Sequence, residues 1–253
     1  MTSGFKDYFS ATAQDYARYR PQYPSALYDF VASLVSRHDA AWDCATGNGQ
    51  VALGLTPHFR HIYATDASKA QIDNAFPHPS IGYSVGLAEA SGLPDQCADI
   101  VTIGSAMHWL DPDRFYPEVY RVVRPGGAIA MWCIERPSVP HTTPKLQAAI
   151  AEFYTLLEPV IPPEIKLVQA GYQTLPFPFE EVETPQIIQT VEWTANELVG
   201  YFSTWSATQH FVQRYGPEAI AQRFNHICLA WGDRTTAKAI TWPMFLRAGR
   251  LTP

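Results

Sequence analysis

The chain reads as an α/β protein in which a mostly parallel sheet is wound with helices on both faces. Three observations predict it. Short apolar runs of strand length alternate with helical segments between residues 40 and 134, which is the signature of strand–helix–strand units. A glycine-containing stretch, Asp43-Cys44-Ala45-Thr46-Gly47-Asn48-Gly49-Gln50, stands between the first of those strands and its helix. Two late strand-like segments complete a sheet of seven strands, the last one antiparallel.

The elements follow in order. Residues 1–35 form an aromatic, polar N-terminal cap, with Tyr16, Tyr19, Arg20, Tyr23 and Pro24 ahead of a helical stretch from Ser25 to Val35. Strand one lies near Ala40–Cys44, and its helix runs from Gln50 to about Leu55. Strand two is His61–Asp66, and Ser68 is placed to cap the helix that follows from Lys69 to Phe76. Strand three is Ile81–Val85 and strand four Ala98–Gly104. Asp111-Pro112 opens a helix with proline at its first position. Phe115, Val119, Val122 and Val123 recur along it at helical spacing. Arg124-Pro125-Gly126-Gly127 stops that helix and turns the chain into strand five, Ala128–Ile134. The core so defined spans 36–136. Residues 137–180 are proline-rich, with a helical patch around Leu146–Leu157, and read as an insertion or lid. Residues 181–253 supply a strand over Val182–Thr194, helices over Asn196–Thr204 and Pro217–Trp231, and a last strand from Ala237 to Leu246.

Composition narrows the function. At 47% hydrophobic and 17% charged the 253 residues can bury a full core. A net charge of −6 without a basic run speaks against nucleic acid as a partner, because backbone binding needs a positive footprint. No apolar run approaches the roughly 18 residues of a membrane span, and no apolar signal core follows Met1. The cysteines, Cys44, Cys97, Cys133 and Cys228, are scattered without CxxC spacing, as reduced thiols of a cytoplasmic protein would be. His58 and His61 lack a further ligand, so no metal site is expected.

The loop after strand one carries the chemistry. Gly47 and Gly49 leave no side chain between the backbone and a ligand, and the free N–H groups of the next helix attract polar groups of a nucleotide. Gly47-Asn48-Gly49-Gln50-Val51-Ala52 also satisfies the G-x-G-x-x-A fingerprint of dinucleotide sites, which keeps an NAD-dependent oxidoreductase open. Asp43 shifts the balance. An acid there repels a pyrophosphate but suits the ammonium of an amino acid. Asp66, at the end of strand two, can accept bonds from both hydroxyls of a ribose. An ammonium on one side and an adenosine on the other describe S-adenosylmethionine (SAM).

These residues, together with Gly86-Leu87-Ala88-Glu89, the strand-four segment and the Arg-Pro-Gly-Gly turn, resemble the class I SAM-dependent methyltransferases. That resemblance implies a Rossmann-like, doubly wound sheet. A narrower likeness is to the trans-aconitate-methyltransferase-like (methyltransferase type 11) group. Phe9-Ser10, the run from Tyr16 to Pro24, Ala106-Met107-His108-Trp109-Leu110-Asp111 and Thr204-Trp205-Ser206-Ala207 carry it. One departure from the family pattern is Ala45, where the first glycine of the loop usually stands; a compact turn is expected there with φ negative. The resemblance implies Asp43 near the methionine ammonium, Gly47 and Gly49 against the cofactor, and Asp66 on the ribose. It implies Ala88 and Glu89 at the adenine, and Ser105 with Ala106 facing the sulfonium.

Transfer from a sulfonium is an in-line displacement that needs alignment and exclusion of water more than acid–base chemistry. A carboxylate acceptor needs no base; a phenol, amine or carbon acid does. His108, following strand four, is the candidate for that base, with substrate orientation or a purely structural role as alternatives. Tyr16, Tyr19, Tyr23 and Trp109 could close over the sulfonium. Arg20 could grip the methionine carboxylate or an acid substrate in fork geometry, or form a plain surface ion pair. Trp205 is placed at the acceptor pocket within a second half that also holds Trp193, Tyr201 and Trp231. The expected activity is methylation of a small-molecule acceptor. A carboxylic acid is the first expectation, and a phenolic, amine or carbon nucleophile of a secondary metabolite the second. A SAM-binding protein without methyl transfer remains a rival.

Overall fold

The computed structural model describes Tyr19 and residues 21–251. Tyr16 and Arg20 lie outside the described residues.

The first half alternates as its apolar runs dictate. α1 (Ser25–Ser33) precedes β1 (Ala40–Cys44), α2 (Gln50–Leu55), β2 (His61–Asp66), α3 (Lys69–Asp73), β3 (Ile81–Val85), β4 (Ala98–Gly104), α4 (Pro112–Val122) and β5 (Val123–Ile134). β1 and β4 sit mid-sheet and are buried along nearly their whole length, as strands covered on both faces must be. Caps set the helix starts: the Ser68 hydroxyl accepts from the Gln71 N–H, and the Asp111 carboxylate accepts from the Asp113 N–H ahead of Pro112.

The second half supplies α5 (Pro144–Leu157), α6 (Ile165–Gln169), β6 (Glu180–Val182), β7 (Ile187–Trp193), α7 (Ala195–Ser203), α8 (Ser206–Tyr215), α9 (Glu218–Trp231) and β8 (Lys238–Arg250). The strand order is β3-β2-β1-β4-β5-β8-β6, with β7 also on β8. Neighbours from β3 to β5 run parallel, and β8 runs antiparallel to β5. β6 and β7 pair with successive stretches of the same edge of β8, so eight strands fill seven positions. The expected single strand over 182–194 is thus split. Glu183-Thr184-Pro185-Gln186 interrupts it, and Pro185 has no N–H for a ladder bond.

Two apolar layers cover the sheet. Leu27, Tyr28, Val31, Val51 and Leu55 pack on one face with Trp132 and Leu246. Phe115, Val119 and Val122 pack on the other with Val101, Ile103 and Met131. A third cluster joins α5, α7, α8 and α9 around Phe153, Phe202, Ile227 and Trp242. The proline-rich stretch divides between these layers. α5 joins the helical cluster, while Tyr172 and Phe179 pack on the sheet beside α4. Among the described residues no helix is long and apolar enough to cross a membrane.

Candidate active site

The carboxyl ends of β1, β2, β3 and β4 share one edge of the sheet, and the candidate residues assemble there. Asp43 is 1% exposed. One of its oxygens accepts from the Thr46 hydroxyl and from the Ala52 N–H at 3.0 Å; the other accepts from the Thr102 hydroxyl at 3.0 Å. Burial pushes its carboxyl up to about 7 against the pull of those bonds. Asp43 therefore ties the glycine loop to β4 and to α2, and its carboxylate is engaged within the protein rather than facing a ligand.

Ala45 stands at φ +54, in the left-handed region, not at the negative φ expected of an alanine there. The loop keeps the conformation a glycine would give it, at a steric cost of about 1–2 kcal/mol. Ser105 at the tip of β4 (φ +53) and Tyr172 (φ +61) share that region. Strained backbone of this kind gathers where function over-determines it.

The two loop glycines do different work. A Cβ on Gly47 would meet only the Gln71 amide oxygen, at 3.9 Å, so the space over Gly47 is open. A Cβ on Gly49 would fall 2.1 Å from the Tyr83 hydroxyl, so that glycine makes room for a ring rather than for a ligand. Asp66 lies at the open side, where its two oxygens accept from the N–H of Gly47 and of Ser68, each at 2.8 Å. Those bonds fix the orientation of the carboxylate. Val85 and Leu87, at the end of β3, are exposed apolar side chains beside it. Ala88 is buried, and Glu89 accepts from the Asp111 N–H at 3.2 Å. The open cradle, fixed carboxylate and exposed apolar pair fit a ribose carrying a flat base.

His108 lies on a short 3-10 turn, Met107–Trp109, beyond β4. It is 8% exposed, its Nδ1 stands 2.9 Å from the Tyr172 hydroxyl, and its ring lies against that of Trp109. Burial lowers its pKa to about 4. The imidazole is neutral at pH 7 and is a poor proton acceptor, which argues against the general-base role.

A strap of four residues, Pro21-Gln22-Tyr23-Pro24, crosses this edge. The Gln50 amide donates to the Pro21 carbonyl at 3.0 Å, and the Gln189 amide donates to the Gln22 carbonyl. The Tyr23 hydroxyl lies 3.3 Å from the Ser105 hydroxyl while its ring meets Trp132 edge-on. Tyr19 packs beside Gly200 on α7. Trp205 stacks on Tyr154 within the helical cluster. Tyr172 and Gln189 were missed in the sequence. They carry no local motif, and only the chain's return to this edge brings them in. Among the described residues no cluster of three or more metal-ligating side chains occurs.

Fold and site together define an α/β protein of the wound-sheet type with an open glycine cradle at the carboxyl edge of its sheet. Comparison with known proteins specifies the class. Residues 42–131 match the methyltransferase domain family. A solved structure from Anaeromyxobacter dehalogenans, described as a candidate type II methyltransferase, is 38% identical. It covers 92% of this chain, is itself 99% covered, and superposes with a TM-score of 0.84. A candidate methyltransferase of Dictyostelium discoideum is 26% identical over 220 residues, 86% of this chain and 84% of its own length. An uncharacterised methyltransferase of Mycobacterium tuberculosis is 32% identical over 124 residues, 49% of this chain and 50% of its own. The chain belongs to the class I SAM-dependent methyltransferases.

Proposed function

We propose that this enzyme methylates a small-molecule carboxylic acid, giving a methyl ester. The observation that carries the reading is His108. It is buried, paired with the Tyr172 hydroxyl and held at about 4, so the histidine nearest the β4 tip is not poised to remove a proton at pH 7. The carboxylates along the edge are also engaged: Asp43 inside the loop and Glu89 on the Asp111 N–H. A carboxylate acceptor is already ionised at neutral pH and makes no demand on such groups.

SAM, when bound, supplies a methyl on a cationic sulfur, activated for displacement. Gly47 would open the backbone to it, Asp66 would hold the ribose hydroxyls, and Val85, Leu87 and Ala88 would border the adenine. Ser105 and Tyr23 sit at the reacting end, and the strap shields that end from water. Tyr16 and Arg20, upstream of the strap, are assigned to closure over the cofactor and to its carboxylate by the family resemblance. The same resemblance supports placement in the trans-aconitate-methyltransferase-like group. A net charge of −6 suits a small acceptor better than nucleic acid.

The test is to incubate the protein with methyl-labelled SAM and a panel of carboxylic acids, phenols and amines, then treat the labelled product with mild base. Label released as methanol is the expected result. Label that stays attached would overturn ester formation and assign the transfer to an oxygen, nitrogen or carbon of another kind of acceptor. Tight SAM binding with no labelled product from any acceptor would point to a SAM-binding protein without transfer.

A further inference from the structure

Three buried polar atoms on one face of the sheet have no hydrogen-bond partner: Nε1 of Trp132, Nε1 of Trp242 and Oε1 of Gln189. Both tryptophans are 0% exposed and Gln189 is 2% exposed. Leaving such groups unpaired is costly, so they call for a ligand or water. The Gln189 amide cannot simply be turned round, because its Nε2 donates to the Gln22 carbonyl. Its oxygen is therefore an unused acceptor.

The register places these groups together. Gln189 on β7 pairs directly with Trp242 on β8, so the two side chains share a face. Trp132 pairs with Leu246 and Ile134 with Met244, on that same face by strand alternation. β5 also continues past Ile134. The Glu135 N–H donates to the Pro243 carbonyl at 2.9 Å, which sets Arg136 abreast of Trp242. Arg136 is half-buried, its guanidinium lies 4.7 Å over the Tyr154 ring, and no carboxylate among the described residues pairs with it. A row of Arg136, Trp242 and Gln189 thus crosses the sheet on the face that the strap touches. Tyr201 packs over Trp242, and the strap covers Trp132.

We infer that this row anchors the far end of the acceptor and that the acceptor is an elongated acid. The chemistry is that of an anion site. Arg136 supplies a guanidinium already oriented by the Tyr154 ring, and the Trp242 indole adds a neutral donor for the same carboxylate. The Gln189 oxygen takes a hydroxyl or N–H on the acceptor's chain. Length follows from strand geometry. Arg136 lies four residues beyond Trp132, about 13 Å along the strand. Trp132 is the residue whose carbonyl holds the Ser105 N–H, at 2.7 Å, beside the reacting end. The anchored carboxylate is therefore not the group that receives the methyl, and the aromatic walls between the two ends suit an apolar spacer. This inference rests on the methyl-transfer reading above.

The experiment uses protein carrying ¹⁵N in its seven tryptophan indoles, first loaded with S-adenosylhomocysteine and then titrated separately with succinate, suberate and sebacate. Trp132→Phe and Trp242→Phe assign the two signals. Sebacate is expected to move the Trp242 indole signal and to bind more tightly than succinate. Arg136→Gln should weaken sebacate about tenfold or more, with the other indole signals unmoved as evidence that the fold is kept. Trp242→Phe, which keeps a ring and loses the N–H, should weaken it less. Binding of S-adenosylhomocysteine with the Trp132 and Trp242 signals unmoved by every diacid overturns the anchor alone. The same holds if sebacate binds the Arg136→Gln protein as it binds the original. Failure of S-adenosylhomocysteine to bind removes the methyl-transfer reading, and the anchor with it.

Discussion

The hydroxyl of Tyr172 stands 2.9 Å from Nδ1 of His108, although 64 residues separate them. The imidazole is buried beside that hydroxyl, and burial lowers its pKa to about 4. Between pH 4 and the ordinary value of about 6.5, the unfolded chain binds a proton that the folded chain refuses. The folded state is then undisturbed by this group above about pH 6.5 and loses up to roughly 3 kcal/mol as the pH falls towards 4. Thermal melts of His108→Asn across that window should show a flatter acid limb than the original protein. The pH profile of kcat/KM should likewise show no His108 limb between pH 6 and 8. A limb there that disappears in His108→Asn would restore the histidine as a base.

Asp43 and Asp66 lie in the same loop system, yet Asp43 is 1% exposed while Asp66 is only half-buried. Asp66→Asn should weaken SAM about tenfold or more, because the ribose loses a charged acceptor. Asp43→Asn should leave SAM affinity within about threefold and act on stability instead. Its folded carboxyl sits at about 7, above the unfolded value. Stability from it is full below about pH 4 and is lost as the pH rises to 7. Asp43→Asn should abolish that fall, read from melts at pH 4.5 and 7.5 alongside calorimetric titration with SAM.

Gly47→Ala and Gly49→Ala should fail in different ways. Both place alanine at positive φ, +58 and +86. Only Gly49→Ala also drives a methyl into Tyr83. It should cost about 3 kcal/mol or more through strain and overpacking together. Gly47→Ala should cost about 1–2 kcal/mol but lose more SAM affinity, since its methyl enters the open cradle. Denaturant melts and SAM titrations on both variants separate the two effects.

Ala45→Gly should stabilise the protein. The left-handed φ of +54 no longer strains a side chain, while the more flexible unfolded chain offsets part of the gain. A net gain of about 0.5–1 kcal/mol is expected, seen as a Tm rise of about 1–4 °C in a chain this long. A lower Tm would show that the Ala45 methyl contributes packing that outweighs the strain.

Much of the sheet was legible because its strands announce themselves locally. Ala40–Cys44, His61–Asp66 and Ala98–Gly104 are apolar runs bounded by turn residues, and their limits in the structure are those read from the sequence. Ser68 and Asp111 were legible as caps for the same reason. α8 was not, because its start at Trp205 has no side-chain cap and most of its residues are polar. The split at Pro185 could have been read from the proline alone.

The sequence by itself determined the wound sheet, the glycine loop and the placing of Asp66 and His108 at the carboxyl edge. Strand length, glycine spacing and strand termini are local properties, and local rules suffice for them. The tertiary structure alone decided which carboxylate is spent inside the loop, which glycine is open, and whether His108 can take a proton. It also set Arg136, Trp242 and Gln189 in one row across three strands. These depend on burial and on partners distant in the chain: Asp43 with Thr102, 59 residues apart, His108 with Tyr172, 64 apart, and Gln22 with Gln189, 167 apart. A side chain's charge state and free hydrogen-bonding capacity are fixed by what surrounds it, and that is settled only when distant segments pack.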